Sequence, residues 1–468
     1  MDERLTSGDR GLDTILGGGL PMNGINLIIG LPGSGKTMLS QQFVFAGATE
    51  ERPAIYLSTV SEPFEKMLRY GQTLSFFDRD AIGRSVYYED LGGIVGGDGG
   101  LTSVTERIGA LIKERRPGII AIDSFKALAA YAEDVQAFRQ FLHNIAALLT
   151  AFPVTAFWIG EYSDEETRAA PESAVADGII ALGTERADER ALRLIEVVKL
   201  RGSKFQSGRH GYRLSSDGIT VFPRLADPLE EETYELSNRR ISSGIPPLDS
   251  MLAEGYGPGS STLVAGPSGV GKTLMGLHFI FSGAAIREPG VIATLQENPV
   301  QLRRMAAGFD WSLDDDRVAV MYRSPNDVYI DEWVYELLDL VEATGAKRVL
   351  IDSLSDLHYA ATDPVRFREF IYSLMQRLSR AGISPIMTSE VPDLFHVGSL
   401  AEYGISHLSD NVVLLQYLRA ESRLLRTMTV IKSRASGHDP EIREFDITSG
   451  GIVLGDPIGD EHALGKRA

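Results

Sequence analysis

The chain is written in short apolar runs separated by longer stretches in which apolar residues recur at helical spacing. Ala54 to Thr59, Gly118 to Ile122 and Val154 to Ile159 are continuous runs of strand length, while Thr102 to Glu114 and Gln136 to Leu149 carry the helical period. The alternation returns in the second half as Val291 to Leu295, Trp333 to Glu342, Arg348 to Ile351, Arg366 to Ser379 and Ser384 to Thr388. Strands apolar on both faces, alternating with amphipathic helices, predict an α/β fold with a mostly parallel sheet covered on both sides. Leu192 to Lys199 and Ile219 to Phe222 are β-rich and are expected to add antiparallel strands to the first half.

The two halves are copies. Lys36 and Lys272 stand 236 positions apart, and the same offset relates Arg4 to Gly8 with Arg240 to Gly244, Leu12-Asp13 with Leu248-Asp249, and Phe43, Phe45, Gly47 and Ala48 with Phe279, Phe281, Gly283 and Ala284. One module written twice divides the chain into domains at 1–226 and 240–455, joined by an acidic, aperiodic linker at 227–239 and followed by a polar tail at 456–468.

Each copy opens with a phosphate-binding loop. Gly30 to Thr37 and Gly266 to Thr273 both match G-x-x-x-x-G-K-[ST], after an apolar strand and before a helix. In this motif the backbone N–H groups of Gly33, Ser34 and Gly35, or of Gly269, Val270 and Gly271, close around phosphate oxygens. Lys36 and Lys272 reach the terminal phosphates, and Thr37 and Thr273 offer hydroxyls to Mg²⁺. Ile119 to Asp123 and Val349 to Asp352 end buried strands in an acid, where Asp123 and Asp352 meet the metal shell. ATP and Mg²⁺ are the expected cofactors.

Hydrolysis needs a further group to orient water or take a proton. The second half supplies Gln296-Glu297 before Pro299; the first supplies Ser61-Glu62 before Pro63. Glu297 is the better base, because Glu62 lies one residue out of alignment and would point to the opposite strand face. Lys199 with Arg201, and Lys432 with Arg434, form cation pairs suited to a phosphate and remote in sequence from their own loops. They are therefore expected to serve a neighbouring subunit.

Composition narrows the partners. A net charge of −18 argues against nucleic acid, and the glycine-rich Gly92 to Gly100 contains no cation and reads as a solvent loop. There is no cysteine and no apolar run long enough to span a membrane, which together predict a cytoplasmic protein.

These residues resemble the KaiC family of clock ATPases and autokinases, within the RecA/DnaB-like ATPases. The likeness spans about residues 4 to 455, and its most specific pieces include Leu414 to Tyr417, Lys432 to Arg434, His438-Asp439 and Ile442 to Phe445. It implies two tandem RecA-like P-loop domains, a hexameric double ring with ATP between subunits, and trans contacts from the cation pairs. It further implies serine autophosphorylation in the second ring and a KaiB-like or other signalling partner. Ser406 falls on the family's acceptor serine, while His407 replaces the adjacent threonine and Gln296-Glu297 replaces two adjacent glutamates. The competing readings are an ATP-stabilised signalling scaffold with little catalysis and a DNA-processing RecA-type ATPase.

Overall fold

The computed structural model describes residues 3–59, 64–187, 190–225, 239–325, 328–361, 363–391, 409–420, 423–434 and 437–458. The chain forms two compact units, residues 1–224 and 225–468. In the first, β1 (Ile25–Gly30) leads through the phosphate loop into α1 (Lys36–Gly47). Then come β2 (Ala54–Ser58), β3 (Val86–Asp90), α2 (Gly100–Arg115), β4 (Ile119–Asp123), α3 (Val135–Thr150) and β5 (Thr155–Gly160). A final group, β6 (Gly178–Ala187), β7 (Arg190–Leu200), β8 (Arg209–Ser215) and β9 (Gly218–Phe222), completes the unit.

The nine strands run in the order β9-β8-β7-β6-β1-β5-β4-β2-β3. From β6 to β3 all neighbours are parallel, and from β6 to β9 all are antiparallel. Alternate residues of β1 feed two cores. Leu27 and Ile29 pack with the α2 and α3 side, including Ile108, Phe141 and Trp158, while Ile28 joins Leu39 and Phe43 of α1. That double burial is why the strands read as unbroken apolar runs.

The second unit repeats the plan: β10 (Thr262–Gly266), α4 (Lys272–Ala285), β11 (Gly290–Thr294), α5 (Pro299–Ala307), β12 (Val318–Tyr322), α6 (Ile330–Thr344), β13 (Arg348–Asp352), α7 (Pro364–Arg380) and β14 (Ser384–Glu390). Then follow β15 (Asn411–Ala420), β16 (Arg423–Ser433), β17 (Arg443–Thr448) and β18 (Gly451–Pro457). Its order, β12-β11-β13-β14-β10-β15-β16-β17-β18, is the same path. Two α/β units with mostly parallel sheets are thus present, as the periodicity predicts, in the tandem RecA-like arrangement that the resemblance implies. Among the described residues no helix is long and apolar enough to cross a membrane.

Two local expectations need correction. Gly92–Val95 is a short helix, not wholly a solvent loop, because Leu91 and Val95 are buried beside it. Strand β18 also continues past Gly455 to Pro457, which pairs with Arg443.

The units solve one joint with different chemistry. Gln42 in α1 accepts a hydrogen bond from the Ile219 amide at 2.9 Å and donates to the Ile219 carbonyl at 3.2 Å. At the equivalent place in α4, His278 Nε2 accepts from the Ile452 amide at 3.0 Å, with its ring edge-on to Trp311. Burial pushes His278 down to about 4, partly countered by a hydrogen bond with the Gly244 backbone. The folded chain therefore holds the ring neutral while the unfolded chain binds a proton below about 6.5, so stability present above that value is lost as pH falls toward 4. His278→Gln installs the first unit's solution. Denaturant titrations should show wild type losing about 2 kcal/mol more than the variant between pH 7 and pH 5; equal losses would refute the assignment.

Candidate functional site

The loops between β1 and α1, and between β10 and α4, owe their shape to glycine. Gly35 and Gly271 are the residues just before the helices, with φ of 94° and 117°, in the left-handed region that side chains avoid. A Cβ on Gly35 would also come within 2.8 Å of Leu214. The loop is braced from the sheet: Tyr212 donates to the Ser34 carbonyl at 2.7 Å and Arg193 to the Gly33 carbonyl at 3.0 Å. The free N–H groups of the first helical turn then face outward as an anion site.

Lys36 donates to the Leu31 carbonyl at 3.0 Å, and Lys272 donates to that of Pro267 at 2.9 Å, so each lysine arches back over its own loop. Burial pushes both ammonium groups below the usual lysine range. Nearby carboxylates oppose that: Glu161 then Asp123 in the first unit, and Glu390 then Asp352 and Asp356 in the second.

The parallel register brings the predicted metal residues together. Thr37 Oγ1 donates to Asp123 Oδ2 at 2.7 Å, and Thr273 Oγ1 donates to Asp352 Oδ2 at 2.8 Å. Spending the hydroxyl proton on the carboxylate leaves the threonine oxygen lone pairs for a cation. Two hard oxygens per unit, beside a phosphate loop, fit Mg²⁺, which takes few protein ligands and completes its shell with phosphate and water. Asp352 is buried, which raises its carboxyl, while bonds from Thr388 and Thr273 lower it. In both units the peptide from this aspartate to the following serine is cis.

Four contributors escaped the sequence reading. Glu390 pairs in register with Gly266, the first residue of its loop, and Glu161 directly follows Gly160 at the end of β5. Glu161 Oε1 lies 3.7 Å from Lys36 Nζ. A glutamate at the end of the same strand in both halves was the available signal. Tyr56 and Thr388, which hold Asp123 and Asp352 from beneath, sit inside apolar strands and gave none.

The remaining candidates are placed unevenly. β11 ends at Thr294, so Gln296 and Glu297 lie in a turn beyond it, with the Glu297 amide donating to Thr294 Oγ1 at 3.2 Å. The strand-face argument against Glu62 thus has no strand to act on, and Glu62, like Ser406 and His407, lies outside the described residues.

The cation pairs stand near the amino ends of the parallel strands. Lys199 pairs with Ile179, itself paired with Leu27, whereas the phosphate loop begins at Gly30 beside Leu182. Lys199 donates to the Ser173 carbonyl at 3.1 Å and Arg201 to Asp177 at 3.4 Å. Lys432 donates to the Ser409 carbonyl at 2.6 Å, and Arg434 lies 3.9 Å from Asp410. A register shift precedes each lysine, leaving Val198 and Ile431 without opposite partners and about half exposed.

The repeated geometry makes each loop a candidate nucleotide site. Nucleotide released from denatured protein and counted by chromatography should give two per chain for wild type. Lys36→Ala and Lys272→Ala should each give one. Two per chain in either variant would refute the need for that lysine in binding.

The comparisons agree with the duplication. The family described as "ATPase: KaiC" matches residues 5–226 and again 241–458. The chain is 30% identical to "Circadian clock protein KaiC3" of Synechocystis sp., over 97% of this chain and 92% of that protein. It is 29% identical to "Circadian clock oscillator protein KaiC" of Picosynechococcus sp., over 95% and 88%. Against the protein of that name from Prochlorococcus marinus the figures are 28%, 97% and 92%. With the paired phosphate loops, their Thr–Asp partners and matches across both units, the chain belongs to the KaiC ATPase family.

Proposed function

We propose that this protein is a homohexameric double-ring ATPase of the cytoplasm whose second unit is also a serine autokinase, working in timekeeping or stress signalling. The observation that carries the reading is the recurrence, in both units, of a threonine hydroxyl bonded to a buried-strand aspartate beside a phosphate-loop lysine. Such a pair would hold Mg²⁺, which would supply the positive charge that phosphoryl transfer needs.

The chain's own groups divide the remaining work. Lys36 and Lys272 hold the terminal phosphates, and the loop amides hold the bridging ones. In the second unit Glu297 accepts the proton of the attacking oxygen, from water in hydrolysis or from the Ser406 hydroxyl of a neighbour in phosphorylation. The new O–P bond forms as the bond to the ADP leaving group breaks. Lys199, Arg201, Lys432 and Arg434 stand at the sheet ends opposite their own loops, which supports their use on an adjacent subunit's phosphate. A head-to-tail contact of this kind gives a ring when the rotation it imposes closes. The curated relatives bear clock names, which supports a signalling partner of the KaiB type.

The test uses Lys36→Ala protein, so that only the second unit turns over. After incubation with Mg-ATP, phosphopeptide mapping should find phosphate on Ser406, and Glu297→Gln should lower both phosphorylation and phosphate release by about 10²- to 10⁴-fold. ATP hydrolysis without phosphoserine would remove the kinase and leave the ATPase. Mixing Lys432→Ala/Arg434→Ala chains with Lys272→Ala chains should restore part of the second-unit activity that neither has alone. No restoration would overturn action in trans.

A further inference from the structure

The two metal-side aspartates are supported by different residues on different oxygens. In the first unit Asp123 Oδ2 accepts from Thr37 at 2.7 Å and from the Tyr56 hydroxyl at 2.8 Å. Tyr56 is fully buried in β2, and its hydroxyl lies 3.0 Å from Ser40 Oγ, which donates to the Thr37 carbonyl at 2.9 Å. In the second unit Ile292 stands at the Tyr56 position and Gly276 at the Ser40 position, each 236 residues on. There Thr388 donates instead to Asp352 Oδ1, leaving Oδ2 to Thr273. Ile159 fills the corresponding place in the first unit, one strand residue before Gly160 as Thr388 is one before Ser389.

Packing accounts for the ring of Tyr56, which lies in the core with its centroid 5.4 Å from that of Tyr88, but not for its hydroxyl. Ile292 shows that an aliphatic side chain suffices at this depth, and a buried phenol hydroxyl needs a bonding partner. The hydroxyl is aimed at the one oxygen that also takes the Thr37 proton.

We infer that Tyr56 is a positioning residue for the magnesium–nucleotide site of the first unit, fixing Asp123 so that the Thr37 lone pairs stay turned toward the cation. Thr388 has the same task in the second unit from the other carboxylate oxygen. The inference rests on the magnesium–nucleotide reading above and adds which residues tune it.

The experiment uses the full chain carrying Lys272→Ala, which confines binding to the first unit. A fluorescent N-methylanthraniloyl-ATP is held at fixed concentration while Mg²⁺ is titrated, and the midpoint is read from fluorescence without any turnover. Tyr56→Phe keeps the ring and removes one hydroxyl. It should raise the midpoint roughly tenfold or more, the usual consequence of losing a hydrogen bond to a metal-ligating group. Adding Ile159→Thr, which supplies the second unit's donor, should bring the midpoint back down. A residue with a merely structural role would shift the melting temperature and leave the midpoint in place, which would overturn the inference. Should Tyr56→Phe fail to fold, Ile159→Thr beside native Tyr56 still decides, since a lowered midpoint supports control through this carboxylate and an unmoved one refutes it. If binding to the Lys272→Ala parent does not depend on Mg²⁺ at all, the magnesium reading itself fails, and that result is distinguishable from the others.

Discussion

A hydrogen bond donated by a threonine hydroxyl to a strand-terminal carboxylate organises each unit of this protein. Thr37 belongs to the first turn of a helix, Asp123 to a strand two places away in the sheet, and their bond is only as good as the parallel register between. The register depends in turn on faces that both demand burial: Ile120 and Ile122 point into one core while Ile119 and Ala121 point into the other. A slip of one residue would exchange the cores and carry the aspartate away from the threonine. Apolar packing, with no chemistry of its own, thus sets the geometry on which phosphate chemistry relies.

The P-loop lysines show the opposite side of that arrangement. Burial disfavours their charge, and the molecule answers with carboxylates from the adjacent strand end, Glu161 and Glu390. These acids also stand near the place where a γ-phosphate must bind, so the same ammonium is attractive to two anions. Lysine position, carboxylate position and phosphate position are consequently one electrostatic problem.

Much of this was legible in the residues because the features are local. The loop glycines, Lys36, Thr37 and the strand ending in Asp123 lie in contiguous motifs whose spacing has a direct geometric meaning. Tyr56 was not legible, since an aromatic in an apolar run looks like core until the neighbouring strand shows what its hydroxyl touches. Glu161 and Glu390 were obscured because the repeat drifts: the loops are 236 residues apart, but these glutamates are separated by 229. Glu62 was under-read in one respect, as its face was argued by alignment with Glu297, which lies beyond a strand that stops at Thr294. His278 and Gln42 share a position and a task yet belong to different residue classes, so their equivalence emerged only from the amide each one holds.

The register shifts ahead of Lys199 and Lys432 have a bearing on how such a chain can change over time. With Val198 and Ile431 left unmatched, each strand carries one more residue than its partner between the sheet's interior and its cations. Which way the cations face is therefore decided by counting, not by the identity of the extra residue. Substitution at Val198 or Ile431 keeps the count and leaves the cations where they are. Deletion of either residue restores even pairing and turns everything beyond it to the other face of the sheet. The chain can drift freely in composition at these two positions while its length there is held fixed.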